Sequence, residues 1–128
     1  MTSQTRVTTA DDTAAERFDW GTIQWLVSGR RLPDSQLTFG FVTIAAGARN
    51  ARHYHPNCDE VLFVIEGDLD HTLGDEVFHL GAGSAIHIPT GIQHNAVNTG
   101  MTTAKVVVAY STGDRQTVFV GHDGEARR

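Results

Sequence analysis

The chain has 128 residues, of which 40% are hydrophobic and 20% are charged. This composition is typical of one globular domain and excludes a disordered or fibrous chain. Ten Lys and Arg residues stand against 15 Asp and Glu residues, a formal net charge of −5, and the basic residues are scattered. We therefore expect no nucleic-acid partner, because such partners are bound by basic patches. The apolar runs are too short to cross a bilayer, so no membrane partner is expected either.

The predicted elements lie between two tails. Residues 1–17 are rich in Thr, Asp and Ala without apolar periodicity, and residues 121–128 are small or charged. Both segments are predicted to be mobile tails that flank one domain at 18–120. The N-terminal segment also lacks the apolar core of a signal peptide.

Short apolar and β-branched runs follow one another through residues 18–120, separated by Gly, Pro, Asn and Asp. In chain order the runs are IQWLV, LTFGFVTIA, ARHYH, EVLFVIEG, LDHTL, VFHL, SAIHIP, HNAVN, AKVVVAYS and QTVFVG. No stretch of a dozen residues has apolar positions at helical spacing. About ten short strands with frequent turns predict an all-β sandwich or barrel.

Four side chains on these strands have metal-ligand chemistry. His53 and His55 project to the same side of a strand, because side chains at positions i and i+2 share a face. A turn then leads to Glu60 at the start of the next strand. His94 opens a later strand and could complete the site from a neighbouring position. Taken singly, the other histidines are interpreted as surface or packing residues: His71, His79, His87 and His122.

The glycines around these ligands complete a larger pattern. Gly47, His53, His55, Glu60 and Gly67 match G-x5-H-x-H-x4-E-x6-G, and a second segment matches G-x5-P-x-G-x2-H-x3-N. The residues of the second segment are Gly83, Pro89, Gly91, His94 and Asn98. These are the two motifs of the cupin superfamily, which the chain resembles at all ten positions.

The resemblance implies a small β-barrel or jelly roll that binds one divalent transition metal through His53, His55, Glu60 and His94. Iron is the favoured metal, and Mn, Ni, Co, Cu and Zn suit the same ligands. Three neutral imidazoles and one carboxylate leave the centre with a single positive charge, which favours a small anionic or chelating substrate. Octahedral geometry would leave two positions open for substrate and water or dioxygen.

Strand alternation predicts which neighbours face the metal. Leu62 and Val64 share the face of Glu60, while Ala96 and Asn98 share the face of His94, so these four are predicted to line a substrate pocket. The apolar residues on the opposite face of the Glu60 strand need cover from another sheet or from a second subunit, which favours a homodimer. These outward residues are Val61, Phe63 and Ile65.

Three functions are consistent with such a site. The first is a dioxygenase, since it requires only open metal positions and a shaped apolar pocket. The second is a metal-dependent lyase, isomerase or decarboxylase, for which His87 or Tyr110 would serve as the acid or base. The third is a module that binds a small molecule without catalysis.

Cys58 is the only cysteine, which excludes an intrachain disulfide and favours a cytoplasmic location. It lies in the turn between ligands, where a partly exposed thiol could react or oxidise, but an inert residue is the favoured interpretation.

Overall fold

The computed structural model describes residues 6–121 and the backbone of residues 126–127. Each of the ten predicted runs corresponds to a strand, and a short strand lies at either end. The strands are β1 (Glu16–Phe18), β2 (Gly21–Val27), β3 (Thr38–Ile44), β4 (His53–Tyr54), β5 (Glu60–Glu66), β6 (Leu69–Leu73), β7 (Glu76–Leu80), β8 (Ala85–Ile88), β9 (His94–Asn98), β10 (Ala104–Tyr110), β11 (Val118–Val120) and β12 (Ala126–Arg127). The described residues contain no helix long and apolar enough to cross a membrane.

The strands form two antiparallel sheets of six strands each. One sheet has the order β1-β2-β3-β10-β5-β8, and the other has the order β12-β11-β4-β9-β6-β7. Consecutive strands in the chain repeatedly cross from one sheet to the other, as in a jelly roll. The predicted all-β jelly-roll architecture is confirmed.

The core lies between the inner faces of the sheets. Side chains on β3, β5 and β10 alternate between buried and more accessible positions, as expected for strands with one face toward a core. On β5, Leu62 and Val64 are buried, whereas Phe63 on the opposite face is 39% exposed. This alternation agrees with the predicted inward and outward faces of β5.

The described part of the predicted N-terminal tail contacts the domain. The first strand begins at Glu16, and the guanidinium of Arg6 forms a salt bridge with Asp34, with an N–O distance of 2.6 Å. The Gln24 amide donates hydrogen bonds to the carbonyl oxygens of Ala10 and Thr13. Residues 1–5, 122–125 and 128 of the predicted tails lie outside the described residues.

Candidate metal centre

The four predicted ligands meet at one point between the two sheets. His53 on β4 is opposite His94 on β9 in one sheet, whereas Glu60 begins β5 in the other sheet. His55 lies just beyond β4. The ligand atoms of these four buried residues all lie within 4.8 Å of one another. The fold therefore assembles a set of three histidines and one glutamate that could hold a metal ion.

Backbone carbonyl groups orient the three imidazole rings. The Nδ1 atoms of His53, His55 and His94 lie 2.7, 2.9 and 2.8 Å from the carbonyl oxygens of Ala51, Gln116 and Ile92, respectively. A carbonyl oxygen only accepts hydrogen bonds, so each Nδ1 carries the proton. Each ring therefore presents an unprotonated Nε2, the form that binds metals.

The contacts at the centre fit a cation. Glu60 Oε1 lies 3.2 Å from His55 Nε2 and 3.1 Å from His94 Nε2. His55 Nε2 is buried without a hydrogen-bond partner, which is a costly arrangement. Unprotonated nitrogens facing a carboxylate oxygen would repel it, whereas a divalent ion would attract all of these atoms.

Two pKa shifts agree with this donor set. Burial raises the pKa of Glu60, but the adjacent His55 and His94 imidazoles outweigh burial and hold that pKa well below its ordinary value. Burial, followed by the electrostatic effect of the neighbouring His94 ring, lowers the pKa of His53 to about 3. At neutral pH the centre therefore offers an ionised carboxylate and a neutral His53, as metal binding requires.

A cavity of about 240 Å³ adjoins the centre. Leu62 and Ala96 line it, as predicted, and most of its remaining wall is apolar. Its apolar lining includes Trp20, Ile23, Trp25, Val42, Ile44, Leu62, Ala96, Val106, Val108 and Phe119. Trp25 packs against Gly40, where a Cβ atom would lie 2.7 Å from the indole ring, so this glycine makes room for the ring.

Two predicted pocket residues do not line this cavity. Val64 is fully buried in the core. The Asn98 amide donates to the carbonyl oxygens of Ile44 and Thr102, and its Oδ1 accepts from the Gly100 backbone N–H. The prediction of a pocket role for Val64 and Asn98 is corrected, because an inward direction along a strand does not specify the distance from the metal.

The two predicted acid–base residues lie on opposite sides of the sheet. Tyr110 lines the cavity, and its ring centroid lies 5.0 Å from that of His55. Burial, followed by the charge of Glu60, raises the pKa of Tyr110 well above its ordinary value, so the hydroxyl stays protonated. His87 is on the outer face of β8, with its side chain 60% exposed and its Nε2 3.0 Å from Asp59. The prediction that His87 works at the site is corrected.

The thiol of Cys58 is buried. Cys58 is only 3% exposed, and its side chain packs in the hydrophobic core. Burial, followed by the charge of Glu60, raises its pKa to about 11. The structure therefore agrees with an inert residue and not with the partly exposed, reactive thiol, because the Cys58 side chain points into the core.

Two residues that the sequence analysis did not assign to the site also line the cavity. His71 on β6 is buried, and its ring stacks on His94 at a centroid distance of 5.7 Å. Its inward position could have been found, because it shares a strand face with Leu69 and Leu73. Arg115 lies in the loop after β10, where no periodic pattern predicts a direction.

Comparison with known proteins places this site in a family. The family model for the cupin domain matches residues 40–110, more than half of the chain and all four candidate ligands. The chain belongs to the cupin family. The resemblance to cupins that the two motifs indicated is thus confirmed.

Curated proteins similar to this cupin come from several sources. It is 28% identical to protein SchB of Streptomyces halstedii over 81% of this chain and 75% of SchB. It is 37% identical to the polyketide synthase CurC of Streptomyces cyaneus over 55% of this chain. It is 31% identical to oxalate oxidase GF-2.8 of Triticum aestivum over 62% of this chain. The cupin spans only 47% of CurC and 39% of the oxalate oxidase.

Solved structures support the fold. An oxalate decarboxylase from Lactobacillus farciminis, in a formate complex, superposes with a TM-score of 0.80 at 18% identity, over 86% of this chain and 34% of that chain. The Bacillus subtilis oxalate decarboxylase, whose structure was studied for its Mn(II) centres, gives a TM-score of 0.77 at 20% identity over 83% of this chain and 29% of that chain. At these identities the likeness establishes the fold alone.

Proposed function

We propose that this cupin is a metal-dependent enzyme that acts on a small chelating or anionic oxygen-bearing molecule, and that it is a dioxygenase. The observation that carries the proposal is the buried set of three Nε2 atoms and one carboxylate oxygen beside a cavity. A divalent ion held by only these four protein ligands would remain open to substrate and dioxygen. A structural site would instead be closed by its protein ligands.

The bound ion, iron in the favoured case, would polarise the substrate oxygen and supply the one-electron chemistry that dioxygen requires. His53, His55, Glu60 and His94 would hold it. The Nδ1–H groups of the three histidine rings donate hydrogen bonds to backbone carbonyl oxygens, so the ring orientations are set before any ligand binds. The apolar wall excludes water from the substrate.

Cavity size and the relatives' names both support a small oxygen-rich substrate. The volume of about 240 Å³ is below the roughly 300–1,000 Å³ of pockets for drug-sized ligands. Oxalate and polyketides, which the names of the relatives contain, both carry pairs of oxygen atoms that can chelate one metal ion. The proposed substrate shares that property.

A second candidate reaction, by a metal-dependent lyase, isomerase or decarboxylase, is favoured by Tyr110. Its hydroxyl stays protonated at the wall of the cavity that also contains Glu60. A group in this position could donate a proton to a substrate atom, which a dioxygenase does not require.

The test begins with protein purified without added metal, whose metal content is measured by elemental analysis. The protein is then loaded anaerobically with Fe(II), and oxygen consumption is followed with small diketones, catechols, 2-oxo acids and oxalate. We expect substrate-dependent oxygen uptake that a chelator abolishes. His53→Ala is expected to lose the metal, whereas the surface variant His87→Ala retains both metal and activity.

The possible results separate the candidates. Substrate loss without oxygen uptake would contradict the dioxygenase and support the lyase, isomerase or decarboxylase. Reversible binding of small ligands without any turnover would contradict both and support the binding module. Full metal retention in His53→Ala and Glu60→Ala would contradict the assigned centre.

A further inference from the structure

Arg115 lies in the loop between β10 and β11 and lines the same cavity as His53 and Glu60. Its guanidinium carbon is 4.4 Å from the centroid of the Trp25 ring and 5.3 Å from that of Tyr110. Both aromatic rings attract the cation through their negative faces. The side chain is thus held in one place at the wall of a mostly apolar cavity.

The guanidinium has no anionic partner among the described residues. None of their ion pairs includes Arg115, and its one acceptor there is the hydroxyl of Thr117. Glu16, which lines the same cavity, instead accepts a hydrogen bond of 3.1 Å from the Trp25 indole. Most of the five N–H donors of Arg115 therefore remain available to a ligand.

The loop that carries Arg115 is tied to the candidate metal centre. Thr117 Oγ1 lies 3.2 Å from His55 Nδ1, and the carbonyl oxygen of Gln116 accepts from the same nitrogen. The Asn57 side chain also holds this loop. Its Oδ1 accepts a hydrogen bond from the Gln116 backbone N–H, and its Nδ2 donates one to the Asp114 carbonyl oxygen. The same backbone segment thus positions both the candidate metal ligand His55 and the guanidinium of Arg115.

Together these groups define a charge pattern. A divalent ion offset by Glu60 contributes one positive charge, and Arg115 contributes a second at the same cavity. A planar guanidinium binds carboxylates through two parallel hydrogen bonds. We infer that Arg115 binds a carboxylate of the substrate, and that the substrate is a small carboxylate whose adjacent carbonyl oxygen would bind the metal. This inference rests on the proposed function and specifies its substrate class.

The test compares two probes, 2-oxobutanoate and its neutral methyl ester, which differ in the charge of one group. Their affinities for Co(II)-loaded protein are measured by calorimetry in wild-type protein, Arg115→Gln, Arg115→Met and the control Arg30→Gln. Arg30 is exposed and lies outside the cavity. We expect wild-type protein to bind the acid at least about tenfold more tightly than the ester, because hydrogen bonds to charged groups have roughly this effect.

Both Arg115 variants are expected to lose at least about tenfold in affinity for the acid while their affinity for the ester changes little. Arg30→Gln is expected to match wild-type protein. Metal content and thermal unfolding are recorded for each variant, so that damage to the centre is distinguished from loss of the cation. Metal-free wild-type protein is expected to prefer the acid as well, since the charge of Arg115 does not depend on the metal.

Equal affinity of wild-type protein for the acid and the ester would overturn the inference without reference to any variant. So would unchanged affinity for the acid in folded Arg115→Gln or Arg115→Met. Failure of the proposed function has a different outcome: acid binding that depends on Arg115 but leads to no turnover with any metal would contradict catalysis and leave the carboxylate site standing.

Discussion

At the scale of single residues, the histidines differ in what their ring nitrogens contact. His53 and His94 donate from Nδ1 to carbonyl oxygens two positions earlier in the chain, which aims Nε2 at the centre. His79 and His87 instead contact surface carboxylates, and Asp70 raises the pKa of His79. A candidate ligand is therefore distinguished from an ordinary surface histidine by its backbone partner and its burial.

His71 makes stability depend on pH. Burial, followed by the electrostatic effect of the neighbouring His94 ring, lowers its pKa from 6.5 to about 4. Between these values the unfolded chain binds a proton that the folded chain does not, so the free energy of unfolding falls as pH is lowered through this window. We expect metal-free His71→Gln to lose less stability than wild-type protein between pH 7 and about pH 4.5, measured by urea unfolding. His79→Gln is the surface control, and equal slopes for wild-type protein and His71→Gln would contradict the prediction.

The Cys58 thiol is expected to be unreactive. With its pKa raised to about 11, almost none of it is thiolate at pH 8, and its burial blocks reagents. A thiol reagent such as DTNB should label the folded protein far more slowly than the urea-unfolded protein. Rapid labelling of the folded protein at pH 8 would show that this turn opens readily.

At the scale of the strands, Asn98 joins two elements that belong to different sheets. Its amide at the end of β9 donates to the Ile44 carbonyl at the end of β3, and a second N–H binds the carbonyl of Thr102. Asn98, which strand alternation had placed in the pocket, thus connects the two sheets instead. Its polar atoms are buried, so loss of the side chain would leave two carbonyl groups without this donor.

Asn98→Ala is therefore expected to lower the free energy of unfolding by about 1–3 kcal/mol while metal content stays unchanged. Urea unfolding and elemental analysis of the same preparation check this expectation. The neighbouring exposed residue supplies the control, since Thr99→Ala should change stability by no more than about 0.5 kcal/mol. Loss of metal from folded Asn98→Ala would return the residue to the site.

At the scale of the whole molecule, the outer face of β5 remains apolar. Val61, Phe63 and Ile65 are 43%, 39% and 46% exposed. The homodimer expected from the sequence stays a prediction, as does the cytoplasmic location. We propose that a second copy covers this face, because burial of apolar surface is the usual driving force for such association.

Light scattering after size exclusion should then give twice the chain mass for wild-type protein at micromolar concentration. Phe63→Glu should give a folded monomer, because a carboxylate at the centre of the face would be costly to bury. Val77→Glu, on β7 of the other sheet and 62% exposed, is the matched control and should remain dimeric. A monomeric wild-type protein would contradict the proposal.

The sequence by itself determined ten of the twelve strands and the four candidate ligands. Side-chain alternation with a period of two is a local property of extended backbone, so β5 and its buried face could be predicted from EVLFVIE. The spacing of His53, His55 and Glu60 was informative for the same reason, since one turn between two strands brings all three together. The cupin motifs supported His94, which begins a separate strand, through the pattern of glycines around it.

Only the tertiary structure decided which other side chains reach the cavity. Strand alternation predicts to which face a side chain points but not how far it lies from the metal centre. Leu62 therefore lines the cavity, while Val64, two residues later on the same face, lies in the core. Tyr110 and His87 were equivalent candidates until the pairing of β10 and β8 with β5 put them on opposite faces. Arg115 belongs to a loop, and a loop has no period. Its position depends on long-range contacts with Trp25 and Tyr110, which only the assembled fold creates.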